Sequence, residues 1–195
     1  MRLDLKKKLF VVLFFVSVGF TFAQIKLPKL ISDNVVLQRD TELKIWGWAA
    51  NGEVVTLQFQ GKNFTAKTNE NGKWEIKLPA QKAGGPYTMS FNASNKVEVK
   101  NILFGDVYLC SGQSNMELPM GRLADTYAYE IENANNSKIR QFEVPDEYEF
   151  TGKRDDLSRG SWKEANKMNI MEFSGVAYFF AKAIYEKEEV PIGLI

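Results

Sequence analysis

The hydrophobic periodicity of this chain changes once, near Phe104, and that change limits the folds available to it. From Ile25 to Leu103 apolar and polar residues alternate. Val55, Leu57 and Phe59 alternate with Thr56, Gln58 and Gln60, Trp74, Ile76 and Leu78 with Glu75 and Lys77, and Tyr87, Met89 and Phe91 with Thr88 and Ser90. Period two is the pattern of half-buried strands. Asn51-Gly52, Gln60-Gly61, Asn71-Gly72 and Gly84-Gly85-Pro86 separate the runs, and Asn71-Gly72 is the expected tight hairpin turn, since both residues tolerate positive φ. A small antiparallel β-sandwich is predicted over residues 24–103.

After Phe104 the pattern becomes that of an α/β fold. Phe104–Cys110 reads as a strand buried on both faces, Asp125–Ala134 as a helix capped by Asp125, and Ile139–Val144 as a second strand. In Ser174–Lys187 the residues Val176, Phe179, Phe180, Ala183 and Ile184 fall on one helical stripe, and Val190–Ile195 begins a third strand. Strand, helix, strand, helix, strand predicts a parallel sheet with right-handed crossovers. About 92 residues follow Leu103. They would leave the last strand with an unpaired edge, so the segment 104–195 reads as the front of a longer α/β domain, with a carboxy-terminal half expected elsewhere. The acidic stretch Glu143–Asp156, with Tyr148 and Phe150, is expected to be a long surface excursion rather than a binding site.

The first 23 residues have a character of their own. Arg2, Lys6, Lys7 and Lys8 precede an apolar run from Leu9 to Phe20, and Thr21-Phe22-Ala23 offers a cleavage site before Gln24. This predicts a secretory signal peptide and an exported, periplasmic or secreted, protein rather than a stable membrane anchor, because a spanning helix needs about 20 apolar residues. Without the leader, 21 basic and 23 acidic residues remain, a net charge near −2, and no basic patch points to nucleic acid. The single cysteine, Cys110, excludes an internal disulfide and reads as a small buried hydrophobe. With no histidine and one cysteine, no zinc site of the usual kind is available, and no metal or cofactor is expected, although carboxylate-bound calcium is not excluded by composition.

Gly112-Gln113-Ser114-Asn115-Met116 directly follows the apolar strand. A serine on a turn beyond a buried strand stands at the carboxyl edge of the sheet, where open α/β folds bind ligands, but its hydroxyl needs a neighbouring base to become a nucleophile. A turn closed by local side-chain bonds would have the same composition. Met116 stands where the α/β-hydrolase elbow has its second glycine, so the motif differs from that elbow. Asp106 and Glu117 are the carboxylates nearest in sequence, and solvated carboxylates are weak bases for a hydroxyl.

The stretch Gly105-Asp106-Val107-Tyr108-Leu109-Cys110-Ser111-Gly112-Gln113-Ser114-Asn115-Met116-Glu117 resembles the first sequence block of the sialate O-acetylesterases, members of the SGNH group of esterases. Phe173–Ala181 resembles that family's second helix, and Val190–Ile195 resembles the strand leading to its next motif. The resemblance implies that Ser114 is the nucleophile and that its backbone N–H is one oxyanion donor, with Gln113 and Asn115 orienting the turn or the substrate. It implies hydrolysis of O-acetyl esters on sialic acids or related sugars, so that an O-acetylated sugar is the expected substrate. It also implies that the Asp-x-x-His pair and the other oxyanion donors come later than the residues present here. Loss of one triad member costs about four orders of magnitude, so these 195 residues alone are expected to be nearly inactive.

A second reading concerns the sandwich. Trp46 and Trp48 flank Gly47 and project to one face, either into the core or as a sugar-stacking platform of a carbohydrate-binding module, whereas Trp74 and Trp162 read as packing residues.

Overall fold

The computed structural model describes residues 24–195, so the expected signal peptide lies outside the described residues. Among the described residues ten strands and three α-helices follow one another in chain order. They are β1 Val36–Gln38, β2 Leu43–Trp48, β3 Val54–Phe59, β4 Lys62–Lys67, β5 Lys73–Leu78, β6 Gly84–Asn92, β7 Lys96–Tyr108, α1 Ser114–Glu117, α2 Ala124–Glu132, β8 Asn135–Phe142, β9 Trp162–Asn166, α3 Gly175–Glu188 and β10 Ile192–Leu194. Short 3-10 turns at Met120–Leu123 and Ile170–Glu172 lead into α2 and α3.

One mixed eight-stranded sheet dominates, in the order β4-β3-β6-β7-β10-β8-β9, with β1 also parallel to β7. Its spine is β7, thirteen residues long. Lys96–Phe104 of β7 is antiparallel to β6, and Asp106–Tyr108 is parallel to β10. The change of periodicity at Phe104 therefore falls inside a continuous strand. Before it, alternate residues are buried. At Ile102–Gly105 four consecutive residues are buried, because that stretch is covered on both faces.

The alternation reads out as packing. Val55, Leu57 and Phe59 of β3 and Met89 and Phe91 of β6 face the separate antiparallel ribbon β2–β5, which contributes Ile45, Trp74, Ile76 and Leu78 to the same core. Trp74 meets Phe91 with ring centroids 5.7 Å apart. Each of these side chains contributes about 2 kcal/mol by leaving water. The two-residue hairpin turn is Gln60-Gly61, both at positive φ, between β3 and β4. It is not Asn71-Gly72, where only Gly72 is at positive φ and the chain passes between sheets rather than between partners.

The carboxy-terminal half departs from the expectation in three respects. First, β10 is no edge strand. Inserted between β7 and β8 and parallel to both, it has Ile192, Gly193 and Leu194 all buried. Chain order does not fix spatial order, and the last strand fills the gap between the first two. Gly105 permits this, since a Cβ there would lie 1.9 Å from the Pro191 carbonyl oxygen, which accepts a 2.9 Å bond from the Asp106 N–H. Second, β9 is antiparallel to β8, so the sheet is mixed rather than parallel. Third, the buried face of α3 is Gly175, Ala177, Tyr178 and Ala181, while Val176 is 50% and Phe180 44% exposed. Small residues let α3 sit close to the sheet, which the apolar count alone conceals. Asp125 does not cap α2, which follows Leu123 without a side-chain cap.

Arg140 of β8 joins the two halves. Only 1% exposed, it donates to the carbonyls of Ser137 (2.9 Å), Asn34 (2.8 Å) and Asn101 (2.5 Å) and to the Asn101 side chain (3.0 Å). Asn34 and Asn101 both hold positive φ. Burial pushes the Arg140 guanidinium pKa down, and Glu164, 3.4 Å away, opposes that shift. Nothing in the sequence pattern singles out this residue.

Candidate active site

The serine-bearing turn begins where β7 stops pairing. Tyr108 is the last strand residue, Leu109 is 78% exposed, and Cys110 is half-buried, its N–H bonded to the Ile195 carbonyl. Gln113 is extended and its carbonyl accepts from the N–H groups of Met116 (2.8 Å) and Glu117 (3.2 Å), closing the single turn α1. Gln113, Ser114 and Asn115 are all exposed. Among the described residues none of their side chains has a hydrogen-bond partner, so Gln113 shapes the turn through its backbone and Asn115 does not. The first N–H groups of a helical turn have no partner within it, which leaves the Ser114 N–H free to donate.

The turn is clamped onto the start of α3. Ser174 caps that helix by accepting from the Ala177 N–H at 3.3 Å, and its hydroxyl lies 3.7 Å from the Met116 sulfur. The Ser174 N–H donates to Gln141 Oε1 of β8 at 3.0 Å. Flanking bonds run from Gly175 N–H to the Leu118 carbonyl (2.9 Å) and from Met120 N–H to the Phe173 carbonyl (2.8 Å). Ser174 thus ties turn, helix and sheet together. The sequence marks it as a helix start but not as this junction.

A cavity of about 610 Å³ opens at the carboxyl ends of β7, β10 and β8, as expected for a ligand site of an α/β sheet. Ser111, Gly112 and Glu117 line it from the turn, Gln141 and the stretch 143–147 from β8 onward, and Ser174 from α3. Ser114 stands between lining residues without lining the cavity itself. The two carboxylates nearest in sequence differ in disposition. Asp106 is held by Arg39 through bonds of 2.9 and 3.0 Å, whereas Glu117 faces the cavity. Burial pushes the Cys110 thiol pKa up, which disfavours a thiolate nucleophile. Among the described residues no group of three or more carboxylates or thiols is arranged to hold a metal ion.

The tryptophans on β2 adopt neither expected role in full. Ile45, Gly47 and Ala49 face the core, so Trp46 and Trp48 lie half-buried on the outer face, edge to face at 5.1 Å and 74°. The Lys26 ammonium sits 4.7 Å over the Trp48 ring. An edge-to-face pair with one ring covered is not a flat platform. Trp74 and Trp162 are buried packing residues, as expected, and the Trp162 indole N–H donates to the Leu30 carbonyl at 2.9 Å.

No family model matches the chain. Among solved structures, a carbohydrate acetylesterase from Xanthomonas citri superposes with a TM-score of 0.82 at 38% identity, covering 88% of this chain and 39% of that one. Fold and turn thus place the chain among relatives that are carbohydrate esterases, a class of hydrolases. The sialate O-acetylesterase of Mus musculus is 29% identical over 202 residues, covering 92% of this chain and 36% of its own length, and that of Homo sapiens is 28% identical over 198 residues, covering 92% and 37%. The chain is similar to the sialate O-acetylesterases over their amino-terminal portion. It spans a little more than a third of the length of these relatives.

Proposed function

We propose that this chain carries the nucleophile of a carbohydrate O-acetylesterase. The Ser114 oxygen attacks the acetyl carbonyl, the sugar hydroxyl leaves with a proton, and water then releases acetate from the acetyl-serine. The observation that carries this reading is an exposed serine on the turn at the carboxyl end of β7, beside a cavity, in a chain 38% identical to a carbohydrate acetylesterase. Exposure leaves the hydroxyl free for substrate, and the unpartnered Ser114 N–H is suited to an oxyanion. The 195 residues contain no histidine, so the base that accepts the Ser114 proton comes from outside them, and these residues alone turn over poorly. In the same proposal residues 24–103 are a β-sandwich, residues 104–195 are part of an SGNH-type domain, and residues 1–23 direct export. Among the described residues no helix is long and apolar enough to cross a membrane.

The test supplies the missing base. Residues 24–195 are incubated with 4-nitrophenyl acetate with and without imidazole, and acetylated peptides are located by mass spectrometry. The expected product is acetyl-Ser114, formed faster with imidazole and absent in Ser114→Ala. Acetylation confined to lysines would overturn the assignment of the nucleophile.

A further inference from the structure

Among the described residues the lining of the cavity beside the serine has a one-sided charge. Of its eighteen lining residues five are carboxylic (Glu117, Glu143, Asp146, Glu147 and Glu172) and none is basic. Two of the five are compensated from outside the lining, Glu147 by Arg154 and Glu172 by Lys163. Glu117, Glu143 and Asp146 have no ion-pair partner among the described residues. The Ser158 hydroxyl and then Arg154 hold the Glu147 carboxyl below the usual carboxylate range. An anionic sugar entering here meets like charge from several directions, in a concave site where field lines concentrate.

The same segment offers apolar surface. Directly after Glu147, Tyr148 and Phe150 are 86% and 90% exposed, with rings 3° from parallel and centroids 6.3 Å apart. Arg154 bonded to Glu147 and Glu149, and Asp155 bonded to Lys73 on β5, brace the loop from both sides. Two exposed aromatic rings that follow the lining residue Glu147 in sequence suit the apolar face of a pyranose ring.

Resting on the esterase reading above, we infer that this cavity takes an uncharged O-acetylated saccharide in preference to an O-acetylated sialic acid, with Tyr148 and Phe150 as the stacking surface. The carboxylates discriminate between the two, and the aromatic pair supplies affinity common to both.

The experiment measures binding, which does not depend on catalysis. Residues 24–195 are titrated by NMR with a methyl O-acetyl-glucopyranoside and with O-acetyl-N-acetylneuraminic acid, at low salt and at about 0.5 M salt, where the Debye length falls below about 5 Å. The uncharged ester is expected to bind at least about tenfold tighter at low salt, and the preference is expected to shrink at high salt. Glu143→Gln combined with Asp146→Asn should shrink it likewise, while Tyr148→Ala with Phe150→Ala weakens both ligands alike. Equal or tighter binding of the sialic acid, a preference untouched by the carboxylate variant, or no binding of either ligand would each overturn the inference. Acetylation of Ser114 by 4-nitrophenyl acetate reports the esterase reading separately, so the failure of one is distinguishable from the failure of the other.

Discussion

Replacing Arg140 by methionine removes the most heavily bonded buried side chain among the described residues while keeping an unbranched apolar chain in its place. Its guanidinium serves three backbone carbonyls, of Asn34, Ser137 and Asn101, besides the Asn101 and Glu164 side chains. Ser137 is exposed and its carbonyl rehydrates, whereas stranding the half-buried Asn34 and Asn101 acceptors at about 1–2 kcal/mol each gives about 3 kcal/mol, the low end of the range of about 3–5 kcal/mol for breaking a buried charge network. Glu164 is 27% exposed and rehydrates, so it adds little. With a urea m-value of about 2 kcal/mol/M, the midpoint should fall by about 1.5 M at unchanged m. Because Arg140 links β8 to residues on both sides of it in the fold, fluorescence and far-ultraviolet circular dichroism should still report one transition. Arg140→Lys should recover less than half of the loss, since an ammonium lacks the planar fork. A midpoint shift under about 0.3 M for Arg140→Met would refute this account, because the network would then contribute nothing net.

Three further outcomes follow from the packing. Gly105→Ala puts a Cβ into the Pro191 backbone and must displace β10, so about 3 kcal/mol and a melting temperature lower by roughly 6–12 °C are expected; an unchanged melt would mean that β10 is not held against β7 as described. Ser174→Ala removes the α3 cap, at about 1 kcal/mol in urea denaturation, whereas Ser174→Asp should retain most of it; if both lose equally, the cap is not the cause. Glu130 joins α2 to α3: burial raises its carboxyl pKa, but the bonds from Lys182 and Tyr178 outweigh this and hold it below the usual range. Its stabilisation is therefore present above about pH 4.3 and lost as pH falls through the lowered folded value. Hydrogen exchange on α3 should separate wild type from Glu130→Gln at pH 7, and the difference should vanish in acid; a gap that persists in acid would assign the effect to packing instead.

The class of each element was largely written in local pattern, because strand alternation and helix spacing report which side of a segment leaves water. The serine turn was legible for the same reason, since a motif contiguous in sequence needs no folding to be recognised. The departures share a cause. The place of β10 between β7 and β8, the antiparallel β9, and the hairpin at Gln60-Gly61 are choices of partner, and partner choice depends on residues distant in sequence. The buried face of α3 depended on how closely Gly175 lets it approach Leu118 and Leu123, and on the small Ala177 and Ala181 in the core, where volume decides rather than hydrophobicity.

By itself the sequence determined the strand-rich first half, the α/β second half, the serine turn and the absence of any histidine. Only the tertiary structure decided that β7 is one strand shared by both halves, that a buried arginine ties them together, that Ser174 anchors the serine turn, and that acidic residues from three separate segments line one cavity. The first set follows from short-range periodicity and composition. The second arises where hydrogen-bond donors and charges far apart in the chain are brought within a few ångströms, and no local pattern records those distances.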